Sequence, residues 1–172
     1  MEKQNDIKKR IDSKKIAYAI ILVAAGIALS PFTSFQIGIA KVNPTQHLIN
    51  LVAAVILGPY YAVVIATIMA IIRNILGVGT ILAFPGGMIG ALSAGLAYKL
   101  SKNIYISGIG EVFGTGIIAS FFCSYIIAPF IMHKAIGVMF LLSSFIISSI
   151  IGNIIGVISI KILEKNNIIK LQ

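Results

Sequence analysis

What most constrains this chain is a succession of apolar runs, each about as long as a bilayer is thick. They cover residues 16–35, 48–72, 81–100, 104–132 and 135–163. Crossing a hydrocarbon core of about 30 Å takes about 20 helical residues. Hydrophobic residues make up 58% of the chain, charged residues 11%, and the mean hydropathy is +1.01. A soluble globule carries about 25% charged residues, and 172 residues could not hide this much apolar surface behind so few charges. Lipid is therefore the solvent for most of the chain, which excludes a soluble enzyme, a disordered tail and a disulfide scaffold. Cys123 is the only cysteine and cannot form an internal disulfide.

The run over 48–72 reads as two helices rather than one. Asn43-Pro44 is an N-cap followed by proline at the first helical position. Gly58-Pro59 is a stop and a restart. The first of the two helices, 15 residues from Pro44 to Gly58, is roughly 22 Å long and falls short of a full membrane core. Charge provides an independent test. With six helices and an inner N-terminus, 11 of the 14 basic residues lie on the cytoplasmic side: Lys3, Lys8, Lys9, Arg10, Lys14, Lys15, Lys99, Lys102, Lys161, Lys165 and Lys170. Lys41, Arg73 and Lys134 lie outside. Five helices would leave 8 inside and 6 outside. The expected fold is thus an all-α integral membrane bundle of six transmembrane helices with both termini cytoplasmic. The helices are placed at 16–35, 44–58, 60–76, 81–100, 104–131 and 136–163, between a basic segment 1–15 and a tail 164–172. Pro31, directly after Ala28 and Ser30, makes a poor cleavage site, so the first run reads as a helix rather than a removable leader. The net charge of +9 expresses membrane orientation and not nucleic-acid affinity.

Helices in lipid meet through small residues. These recur at four-residue spacing in Ala24/Ala28, Gly86/Gly90/Ala94, Gly87/Ala91/Gly95, Gly110/Gly114 and Ser148/Gly152/Gly156. Most of them serve packing within the bundle. Gly108-Ile109-Gly110 is no dinucleotide fingerprint, because the next glycine comes one place late and no strand precedes it. No nucleotide-binding loop is present, so energy for transport must come from an ion gradient or a partner.

Polar groups inside a bilayer are functional candidates by default, and three clusters stand out. They are Asn43-Pro44-Thr45-Gln46-His47 with Asn50 one turn on, Arg73-Asn74 with Gly77, Gly79 and Thr80, and Ala83-Phe84-Pro85-Gly86-Gly87. In the six-helix reading all three reach the extracellular face. They describe a cup with amide, imidazole and guanidinium groups and an aromatic wall, suited to a small polar-rimmed molecule. Each residue also has a plainer role. Gln46 and His47 could be interfacial caps, Arg73 could snorkel to headgroups, Asn74 and Thr80 could be turn residues, and Phe84 could be packing at a helix start. The coincidence of the three clusters carries the inference. Glu111 is the only acid between Asp12 and Glu164, with Thr115 one turn later. In hydrocarbon it must be paired, hydrogen-bonded or protonated. Arg73 or a ligand is a candidate partner, but counting from the start of its helix puts Glu111 only about 10 Å up, far below Arg73. Proton coupling and helix pairing remain open for it.

Catalysis is disfavoured. A single core carboxylate excludes two-carboxylate chemistry. His47 and His133 lie far apart without a carboxylate at ligand spacing, so no metal site is expected. Ser120, Ser124 and Ser144 lack His–Asp partners in the sequence around them. No cofactor is expected.

The strings Asn43-Pro44-Thr45-Gln46-His47-Leu48-Ile49-Asn50, Leu57-Gly58-Pro59-Tyr60-Tyr61, Arg73-Asn74 with Gly77, Gly79 and Thr80, Ala83-Phe84-Pro85-Gly86-Gly87, Gly110-Glu111 and Gly114-Thr115-Gly116 together resemble the ThiW family over about residues 15–163. These are substrate-binding S components of energy-coupling factor (ECF) transporters. The resemblance implies a multi-pass cell-membrane protein that captures the thiazole precursor of thiamin, hydroxyethylthiazole or its phosphate, at the outer face. It implies docking through a small-residue face of the first helix, here Ala24 and Ala28, onto a transmembrane coupling protein with two ATPase subunits. Gln46, His47 and Asn50 could serve a ring nitrogen and a hydroxyl. Arg73 is the natural partner of a phosphate. The rival reading is a stand-alone ion-coupled carrier or channel that uses Glu111 as a proton relay. An integral-membrane enzyme acting on lipid lacks the residues it would need.

Overall fold

In a computed structural model, which describes residues 2–37, 40–169 and 171, the chain forms six long helices. Met1, Lys170 and Gln172, which belong to the basic first segment and the tail of the sequence reading, lie outside the described residues. Helix α1 runs Glu2–Thr33, so the basic segment is continuous with the first apolar helix. Helix α2 is Pro44–Leu57, α3 is Pro59–Ile75 and α4 is Ala83–Ser101. Helix α5 covers Ile104–Ile131 and α6 covers Val138–Lys165. Three stretches are long and apolar enough to cross a membrane by length and composition: Ser13–Thr33, Ile104–Ile131 and Val138–Lys165.

Local chemistry sets the boundaries. The Asn43 side chain accepts from the Gln46 backbone N–H at 2.9 Å, and Pro44 takes the position where no amide hydrogen is needed. Gly58, at φ 89°, makes the tight turn between α2 and α3, and Pro59 restarts the helix. Asn103 caps α5 by accepting from Tyr105 N–H at 2.8 Å. The interrupted span 44–75 is therefore two short helices, as the sequence implied. One feature differs from expectation. The first helix ends at Thr33, and Phe35–Ile37 pairs antiparallel with Ala40–Val42 in a short β-hairpin. Helix α5 contains two π-helical segments, Gly114–Ala119 and Cys123–Ile131, the second around Pro129. Proline removes one backbone donor, and a widened turn accommodates the loss.

Short connections make the helices alternate in direction. The hairpin, the 76–82 loop and the 132–137 loop lie at one end of the bundle; Gly58, Lys102 and the tail lie at the other. At the tail end, Lys161 lies 5.0 Å from the Tyr105 ring centroid and Lys15 lies 5.9 Å from that of Tyr61. Rows of small residues bring α1 to α4 together around Ile49, Ala53, Ala62, Ile65, Ala66, Met69, Ala91 and Ala94. Helix α6 approaches α2 closely at Gly152, where an added Cβ would lie 2.7 Å from the His47 Cβ. Helix α1 is peripheral. Only 11% of its apolar window is buried, against 44% for α5 and 39% for α6. Gly26 and Ser30 face inward, whereas Ala24 and Ala28 are exposed.

Candidate functional site

The first two turns of α2 carry the polar centre. Asn43, Thr45, Gln46, His47 and Asn50 are all buried, where desolvation would otherwise favour apolar side chains. Each is placed by a specific partner. Glu111, fully buried on α5, is the hub. Its Oε1 lies 2.8 Å from His47 Nδ1, 3.2 Å from Asn50 Nδ2 and 3.0 Å from Thr115 Oγ1. Its Oε2 accepts from Asn153 Nδ2 at 2.7 Å. Asn50 also donates to the Gly87 carbonyl at 3.2 Å, and Thr115 lies 3.0 Å from the Gly86 carbonyl. The network thus joins α2, α4, α5 and α6 in the interior of the bundle. Gly90 permits it: a Cβ there would collide with Thr115 Oγ1 and lie 2.7 Å from Glu111 Oε1.

A second polar group sits beside it. Arg73, 1% exposed on α3, donates to Gln46 Oε1, and Gln46 Nε2 donates to the Ala83 carbonyl at 3.1 Å. Gln46 therefore ties α2 to α3 and to the start of α4. Among the described residues Glu111 meets no arginine or lysine but the His47 imidazole, so the Arg73 guanidinium has no carboxylate partner. This corrects the pairing of Glu111 with Arg73: the acid meets histidine and amides instead. The depth mismatch disappears with it, because α2 is short and its first turns already lie level with Glu111 in the first third of α5.

Between these groups is a hollow at the hairpin end, lined by Asn43, Gln46, His47, Thr80, Thr115 and Ser148, with Phe145 and Leu82 as its apolar wall and Lys41 at the rim. It contains about 360 Å³ of empty space counted to its mouth, of which about 30 Å³ would accept the centre of a water molecule. That is room for on the order of one or two waters. Two roomier hollows exist. One, at the tail end, is lined by Lys15, Lys99, Lys102 and Tyr98; the other is an almost wholly apolar groove between α5 and α6. Size favours those two, but only the hairpin-end hollow has several buried polar groups converging on it, which is what orients a small ligand.

The anticipated residues divide. Asn43, Gln46, His47, Thr80 and Thr115 line the hollow; Asn50 and Glu111 stand directly behind His47; Arg73 stands behind Gln46. Asn74 bonds the carbonyls of Ala70 and Thr80 and braces the loop. Phe84 is half-buried and does not line the hollow, whose aromatic surface is Phe145. Ser148 is hidden in the small-residue stripe Ser148/Gly152/Gly156, and Asn153, next to Gly152, lies outside the three polar clusters. Asn153 is nonetheless a lone amide in a 28-residue apolar helix, which is itself a signal. Among the described residues no group of three or more His, Cys, Asp or Glu side chains could hold a metal ion.

Comparison with known proteins follows this geometry. The family model described as "Thiamine-precursor transporter protein (ThiW)" matches residues 16–166. The chain belongs to the ThiW family. It is thus a transport protein of the cell membrane, multi-pass, and not an enzyme. A solved structure described as "Structure and mechanism of the S component of a bacterial ECF transporter" is similar in fold, with a TM-score of 0.74 and 20% sequence identity, over 90% of this chain and 97% of that one. No curated protein matches by sequence. This ThiW chain therefore has the fold of an ECF S component.

Proposed function

We propose that this ThiW protein is the substrate-capture subunit of an ECF-type importer and binds the thiazole precursor of thiamin, hydroxyethylthiazole or its phosphate, at the extracellular face. The observation that carries the reading is the hairpin-end hollow, where Gln46, His47, Thr115 and Ser148 converge inside an otherwise apolar bundle. Its wall keeps unspent hydrogen-bonding capacity: Ser148 Oγ is buried without a partner, as are Asn50 Oδ1 and Arg73 Nε behind it. A flat heteroaromatic ring suits the Phe145 and Leu82 surface. Because the free space is small, the ring enters by parting the hairpin and the 76–82 loop, which Lys41 joins by donating to the Gly77 carbonyl at 2.5 Å.

In this reading all six helices of 16–163 cross the membrane, both termini are cytoplasmic, and the hairpin end faces outward. The charge distribution supports that orientation. The exposed Ala24 and Ala28 on peripheral α1 form the docking face for a transmembrane coupling protein, which two ATPase subunits drive. Uptake of labelled hydroxyethylthiazole into proteoliposomes tests the proposal. Accumulation that needs ATP and the coupling module supports it. Uptake by this chain alone, driven by a pH gradient, would instead establish the stand-alone carrier using Glu111.

A further inference from the structure

Glu111 has four donors arranged around two oxygens, from His47, Asn50, Thr115 and Asn153. A carboxylate so surrounded is solvated by protein in place of water, and as a carboxylate it can only accept. Its contact with His47 Nδ1 therefore places a ring hydrogen on Nδ1, and in the neutral imidazole that leaves the lone pair on Nε2. His47 lines the hollow, as does Ser148, whose hydroxyl has no partner.

We propose that His47 Nε2 and Ser148 Oγ together read a neutral hydroxyl on the ligand, with Glu111 as the positioning residue that fixes the imidazole tautomer, so that the site takes the thiazole alcohol in preference to its phosphate ester. The inference rests on the thiazole reading above and narrows it. A hydroxyl gives one hydrogen and accepts another, which matches an acceptor Nε2 beside a serine donor. A phosphate monoester carries about −1.5 to −2 charge near pH 7. It offers Nε2 little hydrogen and brings negative charge toward the Glu111 carboxylate. The cation that would offset it, Arg73, is turned to Gln46 and does not line the hollow, which leaves Lys41 at the rim as the only cation on the wall.

The test uses the full chain in lipid nanodiscs and three probes: hydroxyethylthiazole, its phosphate, and the ethyl analogue that lacks only the hydroxyl. The alcohol should bind about 10- to 100-fold more tightly than the ethyl analogue, since losing the hydroxyl leaves buried polar groups unpaired, and more tightly than the phosphate. Glu111→Gln, whose amide can donate to Nδ1 and release the tautomer, should weaken the alcohol about tenfold more than it weakens the ethyl analogue. Nitrogen-15 spectra of the histidine-labelled wild-type chain give a reading that needs no variant at the site. His47 should show a protonated Nδ1 and an unprotonated Nε2; the signal of His133, which is exposed, is identified by His133→Gln. Equal affinity for alcohol and ethyl analogue, tighter binding of the phosphate, or a His47 ring protonated at Nε2 would overturn the hydroxyl reader while leaving thiazole capture in place. Failure of all three probes to bind would overturn both.

Discussion

His47 Nδ1 and Glu111 Oε1 lie 2.8 Å apart between α2 and α5, with Glu111 fully buried and His47 only 6% exposed. Removing one partner of a buried pair strands the other, at a cost of about 3–5 kcal/mol. Glu111→Ala also removes the acceptor shared by Asn50, Thr115 and Asn153. It should lower the unfolding temperature in detergent far more than Glu111→Gln, which keeps an acceptor for Asn153. Equal effects of the two substitutions would mean that the network contributes little to stability.

Arg73 and Gln46 act as a unit, since the guanidinium's bond is to the amide oxygen that also positions Gln46 toward the Ala83 carbonyl. Arg73→Ala and Gln46→Ala should each weaken thiazole binding at least about tenfold. Because contacting residues are not additive, the double variant should be little worse than either single one. Additive losses in calorimetric titration would show that the two residues act separately.

Gly90 lies where α4 meets the network, and a methyl group there strikes Thr115 and crowds Glu111. Overpacking of this kind costs about 1–3 kcal/mol, so Gly90→Ala should destabilise the protein and reduce binding together. Gly137→Ala is the control: nothing lies within 4 Å of its added Cβ, and its effect should stay within about 0.5 kcal/mol.

The start of α2 and the break at Gly58-Pro59 were readable in the sequence because caps and prolines act on their immediate neighbours. The polar cluster Gln46, His47 and Asn50 was readable because hydrocarbon penalises such groups. The partner of Glu111 was not, because helix rise gives depth only when helices start level, and α2 begins well inside the bundle. The hairpin was hidden because its two strands are only three residues each and the stretch from Phe35 to Val42 lacks an Asn-Gly turn. Phe145 was passed over for Phe84 because lining depends on how α6 is rotated against α4, which no local spacing reveals.

Membrane sidedness yields a further prediction. In a Cys123→Ser background, Lys134→Cys should react with an impermeant thiol reagent on intact cells, and Lys102→Cys only after permeabilisation. Both positions are exposed at opposite ends of the bundle. Labelling of both from outside would contradict six crossings.

Ala24 and Ala28 are exposed on α1 and make no part of the hollow. Ala24→Leu with Ala28→Leu should leave folding and thiazole binding unchanged and abolish ATP-driven uptake with the coupling module. Undiminished uptake would remove this face from docking.

The most direct measurement is an equilibrium titration of the purified, folded chain with hydroxyethylthiazole, alongside Gln46→Ala and His47→Ala. The account predicts saturable one-to-one binding at micromolar concentration or below, weakened at least about tenfold by each substitution. A chain that stays folded and takes up no thiazole, or one whose binding ignores both substitutions, would contradict it.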